Sequence, residues 1–180
     1  MLTIKTKTMK QIFSISIVLI FVLATNVNAQ DNSVAFNSQD FKNIYLYDNS
    51  NFTAADAATV NMKALRDFAK SFKNAKNEKW YVVEDGFFAN FTDNGVDTKV
   101  AYDKKGVWHC TMHTLNEGQL PFNVRNVVKS KYYDFKILVA YEIEHNNGTA
   151  YILKIDDGKT LKTLRVVDGE MEIITDNITG

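Results

Sequence analysis

The spacing of apolar residues changes along the chain, and each change marks a new kind of predicted element. Beyond residues 53–56, TAAD, which resemble a helix capping box, apolar residues recur at spacings of four and three. They are Ala58, Met62, Leu65, Ala69 and Phe72. From Lys79 the period becomes two, and turn sequences rich in Asp, Asn and Gly interrupt the alternation. This pattern predicts a helix from residue 53 to about residue 75, followed by four antiparallel strands.

The same succession then occurs a second time. Leu120-Pro121 opens a second predicted helix, since proline suits the first helical position. Its apolar face comprises Val124, Val127, Val128 and Tyr132. Four alternating segments follow, KILVAYEIEH, TAYILKID, TLKTLRVV and EMEIIT, joined by Asn-Gly and Asp-Gly turns.

We therefore predict an α+β fold of two tandem units, each a helix plus a four-stranded antiparallel meander. The first unit covers residues 53–115, and the second covers residues 116–176 and packs with the first as one domain. Helices on one face of an antiparallel sheet bury that face and leave the other open.

The first 52 residues differ from the rest of the chain. Three lysines precede the apolar run of residues 12–24, and small residues lead up to a predicted cleavage between Ala29 and Gln30. This is the pattern of a secretory signal peptide over residues 1–29, with either Met1 or Met9 as the initiator. The run is shorter than the roughly 18 residues of a membrane span. Residues 30–52 are predicted to form a polar leader whose apolar patch, residues 44–47 (IYLY), docks on the domain.

Composition narrows the class of protein further. Without the signal peptide the chain has 18 Lys and Arg against 21 Asp and Glu, a net charge of −3. Nucleic-acid binding calls for a basic patch, so this charge argues against it. Cys110 is the only cysteine, which excludes an intramolecular disulfide. We expect a periplasmic or secreted monomer with no membrane span in the mature chain and no cofactor.

Residues 107–113, VWHCTMH, concentrate side chains that can bind metals or act in redox chemistry. In a strand, alternate side chains point to opposite faces. We expect Trp108, Cys110, Met112 and Thr114 to face the core, and His109, Thr111 and His113 to face the open side. The two histidines would then lie roughly 13 Å apart, too far to bind one zinc ion together. Cys110 lacks a base on its own face, so no metal or catalytic role is predicted.

The open sheet face is the candidate binding site. The residues expected there are Tyr81, Asp97, Lys99, His109, Thr111 and His113. Mixed aromatic, histidine and charged side chains on a rigid sheet suit recognition of a protein or peptide, with a plain solvated face as the alternative. The acidic turns, of which residues 93–97 come nearest to a calcium loop, are better explained by turn chemistry.

Several of these marks together resemble a known family. Trp80, the corner of residues 85–88 (DGFF), the Tyr102-Asp103 pair before Gly106-Val107-Trp108, and Leu120-Pro121 are similar to the PepSY-like, β-lactamase-inhibitor-like domain of exported Bacteroidetes proteins. The resemblance covers about residues 53–175. It implies tandem helix-plus-sheet units and, by distant analogy, a concave sheet that binds another protein. It supplies no catalytic residues.

We interpret the chain as an exported, non-enzymatic binding protein. An inhibitor-like protein is one form that this role can take. Its partner would be an envelope or extracellular protein or peptide. Two alternatives stay open: a small hydrolase whose Asp and His residues meet only in the fold, and a carrier of a small molecule or metal.

Overall fold

The computed structural model describes residues 53–178 as one antiparallel sheet with two helices. The strands are β1 Thr53–Ala54, β2 Lys76–Val83, β3 Gly86–Asp93, β4 Val96–Asp103, β5 Trp108–Leu115, β6 Lys136–His145, β7 Gly148–Asp156, β8 Thr160–Val167 and β9 Glu170–Ile178. The helices are α1 Met62–Ser71 and α2 Phe122–Lys131, each preceded by a short 3₁₀ turn, at Ala57–Thr59 and Glu117–Gln119. The signal peptide, the Ala29–Gln30 cleavage and the leader patch lie outside the described residues.

Every strand pairs with its neighbour in the chain, so the order across the sheet is β1 to β9. The eight long strands match the eight predicted segments, and the α+β class is confirmed. The predicted turn signals explain the agreement, because Asn94-Gly95 and Asp168-Gly169 have the positive φ angles that tight hairpins require. Within residues 53–178, no helix has the length and apolar character needed to cross a bilayer.

Both helices pack on the same face of the sheet, as predicted. From α1, Ala64 and Phe68 belong to a buried cluster with residues of β2, β3 and β4. From α2, Val124 and Val128 belong to a second buried cluster with residues of β5, β6, β7 and β8. The pairing of β5 shows that the two clusters lie on the same face of the sheet. On one side of β5, Thr111 lies opposite Val100 of the first cluster. On the same side of β5, Leu115 lies opposite Ala140 of the second cluster.

The first helix begins later than its sequence predicts, and the proposed capping box is wrong. Residues 53 and 54 pair with β2 instead, and Asn61 caps α1 by accepting a hydrogen bond of 2.9 Å from the Lys63 backbone N–H. The buried positions are Ala64 and Phe68, whereas the predicted Met62 is 59% exposed. The helix is rotated from the predicted stripe because Phe68 packs edge-on against two aromatic rings of the sheet, Trp80 and Phe91.

The second helix agrees with its prediction. Val124 and Val128 are buried, and Val127 and Tyr132 are partly buried against the same cluster. Pro121 lies at the N-cap rather than at the first helical position, where its fixed φ still suits the start of a helix.

The opposite face of the sheet has a buried cluster of its own. Its members are Phe88, Ala101, Cys110, Ile143, Ala150 and Ile152. No described helix packs on this face, but the partly buried side chains of Tyr81, Met112 and Tyr141 pack against the cluster. The sheet is therefore apolar on both faces, and the helix-free face is not a plain solvated surface.

Candidate binding cavity on the helix-free face

Of the six residues predicted for the open face, the structure brings three together. Tyr81, Asp97 and Lys99 line one cavity of about 490 Å³ on the helix-free face. Thr111 and His113 point to the helix-covered face, because they lie opposite Val100 and Thr98 of β4. Their predicted facing is wrong.

A bulge in β5 accounts for part of this difference. Tyr102 of β4 lies opposite Trp108, and the residue before it, Ala101, lies opposite Cys110. His109 is therefore an extra residue in β5. Trp108 therefore packs with the α1 cluster, and its Nε1 donates a hydrogen bond of 3.0 Å to the Thr111 hydroxyl.

The remainder of the prediction for β5 is partly confirmed. Cys110 is buried and His109 is exposed, as expected. Cys110 and Met112 do share a face, but it is the face without helices. His109 lies beside His145, with ring centroids 5.3 Å apart, and outside the cavity.

The floor of the cavity is apolar and follows from the strand register. Lys99 lies opposite Met112, and Met112 lies opposite Ile143, so a row of side chains crosses β4, β5 and β6 on one face. Tyr141 and Ile152 line the cavity in the neighbouring row. A concave apolar floor with a few polar groups at its edge is the usual form of a ligand site.

The polar edge of the cavity is built around Asn90. Asn90 lies between Lys79 of β2 and Lys99 of β4, directly opposite both. Its Oδ1 is buried and accepts no hydrogen bond from any described residue. Leaving a buried acceptor unsatisfied costs about 1–3 kcal/mol. Asn90 was not predicted as a site residue, because nothing in the sequence separates it from an ordinary strand polar residue.

Aromatic packing holds the same edge in place. The Tyr81 and Phe88 rings are stacked with centroids 4.7 Å apart, and the Lys99 Nζ lies 5.4 Å from the Phe88 centroid. A cation above an aromatic face is attracted to it, so this packing restrains the Lys99 side chain. Asp97 is the only carboxylate among the cavity-lining residues. The edge therefore has two lysines against one acid.

A second polar group lies on the helix-covered face. One ligand atom each of His113, Glu142 and Glu144 lies within 4.8 Å of the others, a grouping that could hold a metal ion. The pattern Glu142-Ile143-Glu144 does place two acids on one face of a strand, but only the pairing of β5 with β6 shows that His113 joins them.

This chain is similar to known proteins in sequence and in fold. The model of a β-lactamase-inhibitor-like, PepSY-like domain matches residues 85–173. These residues belong to the PepSY-like family. A search of curated proteins found no match.

Solved structures from Bacteroides are similar to this chain in fold. A BLIP-like protein from Bacteroides fragilis is 18% identical with a TM-score of 0.56, covering 67% of this chain and 86% of its own. A DUF2874 family protein from Bacteroides ovatus is 19% identical with a TM-score of 0.57, covering 69% and 89%. A Bacteroides eggerthii protein, whose name assigns it provisionally to the periplasm, is 14% identical with a TM-score of 0.55, covering 66% and 88%. At these identities the likeness shows the fold alone.

Proposed function

We propose that this chain is an exported, non-enzymatic binding protein that holds part of another envelope or extracellular protein in the cavity of the helix-free face. The occupant is an extended segment with one large apolar side chain beside an acidic group. The observation that carries this proposal is the buried Asn90 Oδ1 at the cavity edge, which lacks a donor among the described residues. A backbone N–H of an extended segment supplies such a donor when the Asn90 amide turns towards the cavity that it lines.

The other parts of the segment follow from the lining. Met112 and Ile143 offer an apolar floor for the large side chain. Lys79 and Lys99, on either side of Asn90, favour a carboxylate next to the bound backbone. Because the site lies on paired strands, these groups are held in place before binding, which reduces the entropy lost on association.

We place the protein in the periplasm or outside the cell, as a monomer, after removal of residues 1–29. The sequence of this segment supports export. The periplasmic name of the Bacteroides eggerthii protein supports the same location, and the BLIP-like name of the Bacteroides fragilis protein supports an inhibitor-like role.

We also propose that residues 53–115 and 116–176 are tandem units derived from one ancestor. The order of elements supports this, since a helix followed by four strands occurs twice.

The two alternative functions differ in their support. A hydrolase with paired carboxylates needs two acids in one cleft. The cavity lining includes only Asp97, and the paired acids Glu142 and Glu144 lie on the opposite face of the sheet, outside the cavity. A small-molecule carrier is the second candidate, because a volume of about 490 Å³ lies within the range of small-molecule sites.

Site-directed photo-crosslinking tests the proposal. Benzoylphenylalanine replaces Asp97, exposed at the cavity edge, in one variant and Met62, exposed on α1, in the control variant. Each purified mature protein is irradiated in envelope extract, and the adducts are mapped by mass spectrometry. We expect an adduct with one extended segment of another protein from position 97 and not from position 62. An adduct with the chain's own leader, the same adduct from both positions, or no adduct would contradict the proposal.

Substitutions then test the chemistry of the identified segment. A synthetic peptide of that segment should bind Asn90→Ala and Lys99→Glu about tenfold more weakly than the unmodified protein. Lys105→Glu, in the exposed turn after β4, is the matched control and should bind normally. Equal binding by all variants would exclude the cavity as the site. A small molecule that remains bound through purification, found by native mass spectrometry, would favour the carrier instead.

A further inference from the structure

The second polar group, on the helix-covered face, has the composition of a transition-metal site. On this face, one row of paired residues crosses the sheet from β3 to β8. The row begins with Phe91 of the α1 cluster and ends with Val166 of the α2 cluster. His113 and Glu142 lie opposite each other within this row, and neither belongs to a buried cluster. The group therefore lies on the sheet between the areas that the two helices cover.

The three side chains converge more closely than their positions require. Glu142 and Glu144 are two residues apart on β6, which separates their Cα atoms by roughly 7 Å. Nevertheless one ligand atom from each, together with one from His113, lies within 4.8 Å of the others. Neither carboxylate is in an ion pair with a basic residue of the described chain. Two carboxylates at such a distance repel each other unless a cation lies between them.

The two hydrogen bonds of the Thr98 hydroxyl favour Nε2 as the nitrogen of His113 that binds a metal. The Thr98 hydroxyl lies 3.0 Å from His113 Nδ1 and also donates to the Val96 carbonyl at 3.1 Å. When the hydroxyl proton is directed to the Val96 carbonyl, the hydroxyl oxygen accepts the proton of Nδ1–H. The lone pair is then on Nε2. A buried partner for the second ring nitrogen is the usual arrangement of a metal-binding histidine.

Glu142 is oriented in the same way. The Tyr151 hydroxyl donates a hydrogen bond of 2.6 Å to one oxygen of Glu142, which leaves the other oxygen for a ligand. Glu144 is exposed and adjacent, so its carboxylate can close the site without disturbing the core.

We propose that His113 Nε2, a Glu142 oxygen and a Glu144 oxygen bind one zinc ion, with water in the fourth position. A nitrogen ligand with two carboxylates suits zinc, whereas calcium and magnesium prefer oxygen ligands throughout. Two carboxylates also balance the charge of a divalent ion. The site lies on the opposite face from the cavity of the proposed function, so each can fail without the other.

Zinc titration of the metal-free mature protein, in competition with a chromophoric chelator, tests this site. We expect one zinc ion per chain, and visible absorption bands of four-coordinate Co²⁺ when cobalt replaces zinc. His113→Ala and Glu144→Gln should each weaken binding by more than about tenfold, and Thr98→Val, which removes only the positioning hydroxyl, by about tenfold.

Matched controls separate this site from its rivals. His109→Ala removes the exposed histidine beside His145, and Glu170→Gln removes an exposed acid of β9, and both should leave zinc binding unchanged. Circular dichroism of the metal-free variants checks that each folds. The proposal is wrong if the unmodified protein binds no zinc, if His113→Ala and Glu144→Gln bind as it does, or if His109→Ala abolishes binding. Displacement of zinc by an equal concentration of calcium would overturn the assigned metal class.

Discussion

The hydroxyl of Tyr102, on β4, donates a hydrogen bond of 3.1 Å to the Oδ2 of Asp67, on α1. Tyr102 is only 2% exposed, and its ring stacks on Trp80 with centroids 5.9 Å apart. This bond therefore ties the first helix to the sheet at a buried position.

Removing either partner of this bond should destabilise the protein, but unequally. Tyr102→Phe should lower the free energy of unfolding by about 1 kcal/mol, because the half-buried Asp67 can turn towards water. Asp67→Ala should cost more, about 1–3 kcal/mol, because it leaves a buried hydroxyl without its acceptor. Urea unfolding at neutral pH measures both. Tyr133→Phe, at a position 77% exposed, is the control and should change stability by less than about 0.5 kcal/mol. Equal stability of Tyr102→Phe and the unmodified protein would contradict the expected role of the bond.

Stability should also fall in alkaline solution. Burial, reinforced by the neighbouring Asp67, raises the pKa of Tyr102, and burial, reinforced by the hydrogen bond to Glu142, raises the pKa of Tyr151. Tyrosines of the unfolded chain lose their protons near pH 10, roughly the pKa of the free side chain. Above that pH the unfolded state binds fewer protons than the folded state, so the free energy of unfolding decreases as pH rises.

Urea midpoints from about pH 8 to about pH 11 test this dependence. The double variant Tyr102→Phe with Tyr151→Phe should show a flatter decline than the unmodified protein above about pH 10. If both decline with the same slope, the two tyrosines do not govern alkaline unfolding.

Two glycines with similar backbone angles should differ in their tolerance of alanine. Gly106 has φ +72° and Gly95 has φ +86°. A Cβ at Gly106 would lie 2.8 Å from the Ala64 backbone nitrogen and from the Asn61 Oδ1, whereas one at Gly95 meets no atom within 4 Å. We expect Gly95→Ala to cost about 1–2 kcal/mol for its backbone conformation alone.

Gly106→Ala should cost distinctly more, because it also pushes the turn away from the start of α1. That turn is fixed by a hydrogen bond of 3.1 Å from the Asn61 Nδ2 to the Lys104 carbonyl. Thermal melting of the two variants is the measurement. Equal melting temperatures would mean that contact between this turn and the start of α1 does not affect stability.

The core under α2 allows a matched test of burial across one strand pair. Leu164 is fully buried, and Ile173, directly opposite it on β9, is 46% exposed. Leu164→Ala should lower the free energy of unfolding by about 2–5 kcal/mol through lost contacts and the cavity that remains. Ile173→Ala should lower it by less than about 1 kcal/mol. Urea unfolding measures both, and similar losses would mean that β9 is part of the core.

Local sequence signals predicted the elements well where the signal was itself local. Five of the six hairpins between β2 and β9 were predicted from an Asp-Gly or Asn-Gly pair, and the hairpin of β4 and β5 from the turn that ends at Gly106. Such residues adopt the positive φ of a tight turn at low cost. The second helix was predicted from Pro121 and the spacing of Val124 and Val128. The first helix was misplaced, since alanine-rich residues 54–58 extend its apolar spacing into a segment where pairing with Tyr81 and Val82 is preferred.

The candidate site was predicted only in part, for a different reason. Tyr81, Asp97 and Lys99 were assigned to one face correctly, because their strands have regular alternation. Thr111 and His113 were assigned to the wrong face. The assumption that the more apolar side of β5 faces the helices fails when Cys110 and Met112 join a second apolar cluster on the other side.

By itself, then, the sequence determined the alternation along each strand, the positions of the turns, the second helix and the α+β class. These depend on contacts within a few residues. Only the tertiary structure decided which side of β5 faces the helices, the bulge at His109, the unsatisfied acceptor of Asn90 and the meeting of His113 with Glu142 and Glu144. A period of two predicts that neighbouring side chains of a strand point to opposite faces of the sheet, but it does not predict which face the helices cover. That choice depends on the packing of side chains from strands and helices that are distant in the chain.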